Sequence, residues 1–524
     1  MIFRSPYPDV PVPEVSLTDF VLHHALDLPD KPALIDSVSG RTLTFAQLAG
    51  AVRRCAAGLA QRGFQKGEVF AILSPNLPEF AVAFHGILSA GGIITTLNPV
   101  YTVNEIAHQL KDAGAKYLLT TPQMMDKVTA AISQTPVREI FVFGEAEGAT
   151  PFATLLENDG TMPEVKINPR EDLAIIPYSS GTTGLPKGVM LTHSNLIAGV
   201  IALDTPSPLL TADDISIAVL PLFHIAGLVC VMEGALHKGR TLVMLPRFEL
   251  ELFLQTMQQY KVTTAGLVPP IIVALTKHPL VEQYDLSSLK LISSGAAPLG
   301  KEVERACAER LQRPVFQAYG MTEAAGLTHG SADVVGQNKP GSIGPCGPNI
   351  QCIIVDPVSG TALGPNEHGE LWIRGPQVMK GYLNNPAATA ESLDAEGWYH
   401  SGDIGYADDD GYFYIVDRVK ELIKYKALQV APAELEAILL SHPAIADAAV
   451  IPSPDEEAGE VPKAFVVLKG TATPEEIMSF VAARVAPHKK VRRLEIIEQI
   501  PKSASGKILR RLLIERERSK GEFQ

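Results

Sequence analysis

The sequence predicts an α/β protein: a large N-terminal domain of layered sheets and helices, then a small α+β C-terminal domain. Short apolar runs alternate with helical patterns through the first 400 residues, and after about residue 350 short strands appear between Gly, Pro and Asp turns. The charged stretch Asp417-Arg418-Val419-Lys420 then separates two differently patterned regions. Strand–helix alternation places helices on the faces of largely parallel sheets. The domains are therefore expected at 1–417 and 421–524, with a hinge at 418–420.

Taken in order, Phe45–Gly63 carries Leu48, Val52, Cys55 and Leu59 at helical spacing, and Gly63 closes it. Strand-like runs follow at Val69–Leu73, Tyr117–Thr121, Glu139–Phe143, Leu173–Tyr178, Ile215–Leu220, Thr241–Leu245 and Lys290–Ile292. Helical stretches at Asn104–Ala113, Leu250–Tyr260 and Lys301–Leu311 lie between them. Glu370–Arg374 and Gly411–Val416 read as short strands. Beyond Lys420 the pattern gives helices Pro432–Leu440 and Pro474–Val485 and strands Ala448–Ile451 and Ala464–Leu468.

Composition bounds the function. The 524 residues exceed one compact domain, and 46% hydrophobic with 20% charged residues is the balance of a globular enzyme with a large core. A net charge of -13 argues against nucleic acid or an anionic membrane as the main partner. The basic run His488–Arg493 reads as a solvated face. Cys55, Cys230, Cys307, Cys346 and Cys352 are scattered without Cys-x-x-C spacing, so neither a disulfide framework nor a zinc site is expected. Together with the absence of a signal-peptide pattern or a long apolar span, this makes a cytoplasmic location the expectation.

The strongest chemical signal is Tyr178-Ser179-Ser180-Gly181-Thr182-Thr183-Gly184-Leu185-Pro186-Lys187-Gly188. Hydroxyls and glycines in a row offer side-chain and main-chain donors without blocking a phosphate, and Lys187 adds charge. The lysine follows Pro186 rather than a glycine, so this is not a Walker P-loop. A plain Gly/Ser/Thr linker would need neither the lysine nor this order.

This loop resembles the phosphate-binding motif of the adenylate-forming superfamily, which includes acyl-CoA synthetases, coumarate–CoA ligases, luciferases and peptide-synthetase adenylation domains. Further matches follow in the family's order: Gln317–Glu323, Ser401-Gly402-Asp403, Asp417–Lys426 and Pro501–Lys507. Wording at Lys380–Leu383 and Gln429–Glu434 is most similar to the 4-coumarate–CoA ligase branch.

The resemblance implies an ATP-dependent acid–CoA ligase that forms acyl-AMP and pyrophosphate, then acyl-CoA, on aryl or cinnamate-like acids. It implies a large domain that binds ATP and the acid, and a small mobile domain that acts as a lid. Joining a carboxylate to a thiol requires a leaving group, and attack on the α-phosphate brings two anions together. By resemblance, Ser179, Ser180, Gly181, Thr182, Thr183, Gly184 and Lys187 hold the β- and γ-phosphates and Thr322 contacts the α-phosphate. Gln317, Ala318 and Tyr319 flank the nucleotide, Glu323 anchors Mg²⁺, and Asp403 and Arg418 hold the ribose, with Lys420 nearby. Lys507 is the implied catalytic lysine of adenylation. His224, Ala226, Gly295, Ala296 and Gln429 are the implied acid contacts, and Lys424 supports the adenylate. Arg247, Lys420, Lys426 and Ala427 fall where the family meets coenzyme A. Rotation about Arg418–Lys420 would present Lys507 and then the 424–430 loop.

Three departures bear on specificity. Ala226 stands where coumarate ligases usually carry Tyr, which opens space for a larger or less polar acid. Ala318 replaces a more common Gly, and Ala427 replaces the Gly that lets main chain approach the pantetheine arm. Medium- or long-chain fatty acids are the alternative substrates, and a non-CoA acceptor the alternative second step. A serine hydrolase is excluded by the lack of Gly-x-Ser-x-Gly, and a purely binding role needs neither Glu323 nor Lys507.

Overall fold

A computed structural model describes residues 1–162, 164–179, 186–203, 209–330, 338–418, 421–425, 428–455, 458–503 and 506–521. Four sheets organise them.

Two sheets share the largest core. One has nine strands, with Val69–Ile72, Ile93–Thr96, Ala115–Thr120 and Glu139–Val142 pairing in parallel. The other has eight, and its centre, Pro32–Asp36, Thr241–Met244, Ile215–Ala218, Thr264–Leu267, Leu291–Ser294 and Val315–Met321, is also parallel. Helices Phe45–Gln61 and Pro78–Ser89 pack in the core beside them. Their approach is close: a Cβ on Gly86 would lie 2.5 Å from Cys55 Sγ, so only glycine fits there. The first helix starts at Thr44, whose side chain and that of Gln47 cap each other's main chain.

A third sheet is antiparallel and runs Phe3–Arg4, Gln351–Val355, Gly369–Arg374, Tyr399–Ala407, Phe413–Arg418. Its alternating burial, seen along Gly369–Arg374, fits a half-covered sheet. The fourth sheet follows residue 421 and joins Leu428–Val430, Ile423–Tyr425, Gly459–Leu468, Ile445–Asp455 and Arg493–Ile496, with helices Pro432–Ser441 and Pro474–Ala482 packed on its own core. Among the described residues no helix is long and apolar enough to cross a membrane.

Most predicted elements lie within a few residues of their expected bounds. The strands expected at Ala448–Ile451 and Ala464–Leu468 extend to Ile445–Asp455 and Gly459–Leu468, because they form one long antiparallel pair. Leu173–Tyr178 splits into Leu173–Ile175 and Tyr178–Ser179, on either side of Ile176–Pro177.

Candidate active site

Strands Ile215–Ala218, Thr264–Leu267, Leu291–Ser294 and Val315–Met321 run parallel and adjacent. The segments leaving their carboxyl ends therefore emerge along one edge, where parallel sheets bind ligands. Those segments carry His224, Val268–Pro270, Gly295–Ala296 and Thr322–Glu323. With the antiparallel sheet and the C-terminal unit they line one cleft of about 3740 Å³.

The hydroxyl-rich motif is held at its base. Ser179 pairs with Lys187 across two antiparallel strands. Thr192 then caps helix His193–Ile201, accepting the Asn195 N–H at 3.1 Å. Ser180, Gly181, Thr182, Thr183 and Gly184 lie outside the described residues.

Ser179 Oγ donates to Glu323 Oε1 at 2.8 Å, and the Tyr382 hydroxyl donates to the same oxygen at 2.9 Å. Both bonds fall on Oε1, so among the described residues Oε2 is left for a cation. A buried carboxylate among hydroxyls is a donor set of the hard-oxygen kind that Mg²⁺ takes. Lys187 Nζ stands 4.1 Å from the centre of the Tyr382 ring, a cation–π contact that fixes its position. Tyr382 is placed by the pairing of Gly381–Tyr382 with Val189–Met190. Thr322, also buried, lies in the 3₁₀ turn Thr322–Ala324 directly after the strand.

On the opposite side, Asp403 and Arg418 face each other across antiparallel strands, with Arg418 Nε 3.2 Å from Asp403 Oδ1. The Tyr319 hydroxyl donates to Asp403 Oδ2 at 2.5 Å. Burial pushes the Asp403 carboxyl up, while the Arg418 guanidinium and the Tyr319 bond pull it back. The remaining lone pairs suit a diol.

Lys507 reaches this cleft from the C-terminal unit. Its loop is closed by the Ser503 N–H donating to the Lys507 carbonyl at 2.8 Å and the Lys507 N–H donating to Ser503 Oγ at 3.1 Å. Gly506 turns it with φ +80°, and its Cα lies so close to the large unit that a Cβ would meet Val268 and Pro270 at 3.5 Å. Burial lowers the Lys507 ammonium to about 8, with Arg418 adding repulsion and Glu421 and Asp403 opposing it. His224 is half-buried in the cleft lining, and burial lowers it to about 4, with Lys507 the second cause. The same lysine is thus felt by Asp403 on one side and His224 on the other.

Of the implied acid contacts, His224, Ala226, Gly295 and Ala296 line the cleft, while the Gln429 side chain is outside the described residues. The Ala226 N–H donates to His224 Nδ1 at 3.3 Å and opens the π-helix Ala226–Glu233. Gly295 and Ala296, the latter at φ +66°, follow strand Leu291–Ser294, and both line the cleft. Ala318 lines it too. Gln317 is turned inward: its amide donates to the Leu299 carbonyl at 3.0 Å and to Glu304 at 2.7 Å, fixing the 295–299 loop from beneath.

Lys424 is the residue implied to support the adenylate, and Arg247 is one of those implied for coenzyme A. Lys424 and Arg247 are exposed and stand apart from the cleft lining. The Lys424 N–H donates to Glu460 at 2.8 Å, and Arg247 pairs with Glu249 at 2.6 Å. Gln429 lies opposite Lys424 in the strand pair, and its side chain is outside the described set. Lys420, Lys426 and Ala427 are outside it as well.

Two groups carry no role in the sequence reading. Tyr382 belongs to a stretch noted only for family wording. Arg510 pairs with Glu436 at 2.7 Å and Glu421 at 3.1 Å, in a buried cluster just beyond the expected hinge; an Arg three residues after Lys507 gave no pattern to find it by.

Two family models cover most of the chain: the AMP-binding enzyme over residues 21–383, and the AMP-binding enzyme C-terminal domain over 434–507. The sequence is 45% identical to a 4-coumarate–CoA ligase of Pinus taeda, over 97% of this chain and 96% of that one. It is 44% identical to 4-coumarate–CoA ligase 2 of Oryza sativa subsp. japonica, over 98% and 94%. Among solved structures, an anthranilate CoA ligase in complex with anthranoyl-AMP superimposes with TM-score 0.91 at 25% identity, covering 98% of this chain and 99% of that one. The o-succinylbenzoate CoA synthetase of Bacillus subtilis with its acyl-adenylate gives 0.81 at 30%, over 96% and 98%.

Proposed function

The chain belongs to the AMP-binding enzyme family, and from that premise we propose that it is an AMP-forming acid–CoA ligase acting on aryl or cinnamate-like acids. The observation that carries the reading is Lys507 of the C-terminal unit lining one cleft with Asp403, Arg418 and His224.

Adenylation brings the acid carboxylate against the α-phosphate of ATP. In this reading Asp403 and Arg418 hold the ribose, and Lys187 with the Ser179–Gly184 segment holds the outer phosphates. Thr322 and Lys507 meet charge at the α-phosphate, where a positioned cation counts most in a water-poor cleft. Glu323, with Ser179 and Tyr382 orienting it, would hold Mg²⁺, which neutralises phosphate charge when bound. His224 stays neutral at physiological pH and borders the acid carboxylate without adding charge. Ala226, Gly295 and Ala296 leave room for a flat ring.

Coenzyme A is the proposed acceptor of the second step. Its candidates, Arg247, Lys420, Lys426 and Ala427, together with Lys424 and Gln429, are proposed to act after the C-terminal unit turns about 418–420, since Lys424 now faces solvent while Lys507 occupies the cleft. The proposed domain bounds are accordingly 1–417 and 421–524.

The test is pyrophosphate release and thioester formation across a panel of benzoates, cinnamates and C6–C16 fatty acids, with and without coenzyme A. The reading expects thioester on hydroxycinnamates or related aryl acids. Turnover confined to fatty acids, or adenylate without thioester, overturns it.

A further inference from the structure

His329, Cys346 and Cys352 converge in the core beneath the nucleotide side of the cleft. His329 Nε2 lies 3.8 Å from Cys346 Sγ and 3.4 Å from Cys352 Sγ. All three donor atoms lie within 4.8 Å of one another, and the residues are 0%, 1% and 0% exposed.

The imidazole tautomer follows from its neighbours. Thr328 Oγ1 has one proton, and the Tyr319 carbonyl, 3.3 Å away, is placed to accept it. The same hydroxyl oxygen is 3.0 Å from His329 Nδ1, so it accepts the Nδ1–H. Nε2 is then the bare nitrogen, turned to both sulfurs. A single in-plane lone pair can take one thiol proton well. The second thiol is left with the other sulfur, a weak acceptor, as its hydrogen-bond partner, whereas a metal ion engages both sulfurs and the nitrogen directly. A ring held through its other nitrogen is how ligating histidines are oriented.

Distance and charge agree. Tetrahedral zinc, with bonds of about 2.3 Å to sulfur and 2.0–2.1 Å to nitrogen, sets sulfur and nitrogen ligands about 3.6 Å apart. The two separations here straddle that spacing. Two thiolates and a neutral imidazole cancel a dication, which makes the complex neutral in a pocket walled by the Phe413 and Tyr319 rings, 4.6 and 5.7 Å from the His329 ring.

We propose that His329, Cys346 and Cys352 form a structural site for a thiophilic, filled-shell dication of the zinc type. Binding releases two thiol protons to solvent and forms two metal–sulfur bonds and one metal–nitrogen bond, which fill three of the four tetrahedral positions. The ligands come from strand Gly326–Gly330, the segment bridged to it at Cys346, and strand Gln351–Val355. The ion therefore ties the end strand of the eight-stranded sheet to the antiparallel sheet. His329 is the cross-strand partner of Tyr319, so the tie lies directly behind the residue that holds Asp403.

Because the site is buried, metal enters during folding. The full chain is unfolded under reducing conditions with chelator, then refolded with Zn²⁺ or Co²⁺. The expected result is about one tightly held ion per chain, and in the cobalt form a near-ultraviolet thiolate-to-metal charge-transfer band. Cys352→Ser and Cys346→Ser should hold less than about a tenth of an ion, while Cys307→Ser, a control in another core, should match the parent. The parent protein alone decides the matter if the variants misfold. Absence of stoichiometric metal or of the band, a band unchanged by either substitution, or a Cys346–Cys352 disulfide in the protein isolated without reductant overturns the proposal.

Discussion

Lys507, on a loop of the C-terminal unit, adds to burial in depressing the proton affinity of His224, on a loop of the large unit. Removing the ammonium therefore acts on the adenylation cleft directly. Lys507→Ala is expected to slow acyl-AMP formation roughly 10²–10³-fold, the loss typical of one positioned donor. Transfer of the acyl group from preformed acyl-AMP to coenzyme A should change much less. Single-turnover measurement of both half-reactions checks this, and equal losses in the two refute it.

The alkaline limb of the pH profile should belong to the same residue. Burial lowers Lys507 to about 8, so its charge is present below that pH and lost above it. For kcat/KM of pyrophosphate release, which reports the free enzyme, a tenfold fall per unit is expected above about pH 8. His224, lowered to about 4, adds no limb between pH 5 and 8. Lys507→Arg keeps its charge and should retain reduced activity without the alkaline fall.

Glu323 is expected to set the magnesium requirement. Glu323→Gln leaves partners for Ser179 and Tyr382 but removes the charge. The Mg²⁺ concentration for half-maximal adenylation should rise roughly 10–100-fold, the scale of effects at metal sites. An unchanged magnesium titration would move the ion elsewhere.

Ala226 should govern acid choice. Ala226→Tyr narrows the pocket next to His224 and adds a donor. The preference for coumarate over a C8–C12 fatty acid should rise by about tenfold or more, since one pocket group is worth about 1–3 kcal/mol. A constant ratio across the panel would show that residue 226 does not line the acid pocket.

Arg510 is expected to be structural. Arg510→Ala strands the Glu436 and Glu421 carboxylates, and burial already pushes Glu436 up. Breaking such a buried pair costs about 3–5 kcal/mol. Denaturant unfolding followed by a probe in the C-terminal unit would show it, and a loss below about 1 kcal/mol would contradict the buried-pair account.

The elements that sequence reading found are those with one wet face or a clear turn at each end, such as Phe45–Gln61 and Lys301–Leu311. Helix Pro78–Ser89 escaped it because nearly every residue is buried, which erases the 3.6-residue period. The π-helix Ala226–Glu233 escaped for the same reason. Ordered motifs made the cleft legible, since Lys507, Asp403 and Glu323 stand in stretches whose wording repeats across a family. Gln317 shows the limit of such wording: the motif names the position, but only the fold shows its amide turned toward Glu304. The His329–Cys346–Cys352 cluster was invisible because its members come from separate segments without local spacing.

The cleft lining carries small residues, Gly266 within strand Thr264–Leu267 and Gly295 just after strand Leu291–Ser294, and under the proposed function this separates substrate size from nucleotide chemistry. Gly266 lines the cleft in mid-strand, and a methyl group there would rest 3.5 Å from Val231 Cγ2 and 3.6 Å from Ser293 Oγ, an ordinary contact. Gly295 is tighter, its Cβ position 3.3 Å from the Ala318 carbonyl. The lining can thus be raised at Gly266, by one carbon, while strand Val315–Met321, which bears Tyr319 and leads into Thr322, stays untouched. For anyone retargeting this scaffold under the proposed function, acid size is a dial that turns without resetting the residues assigned to ATP.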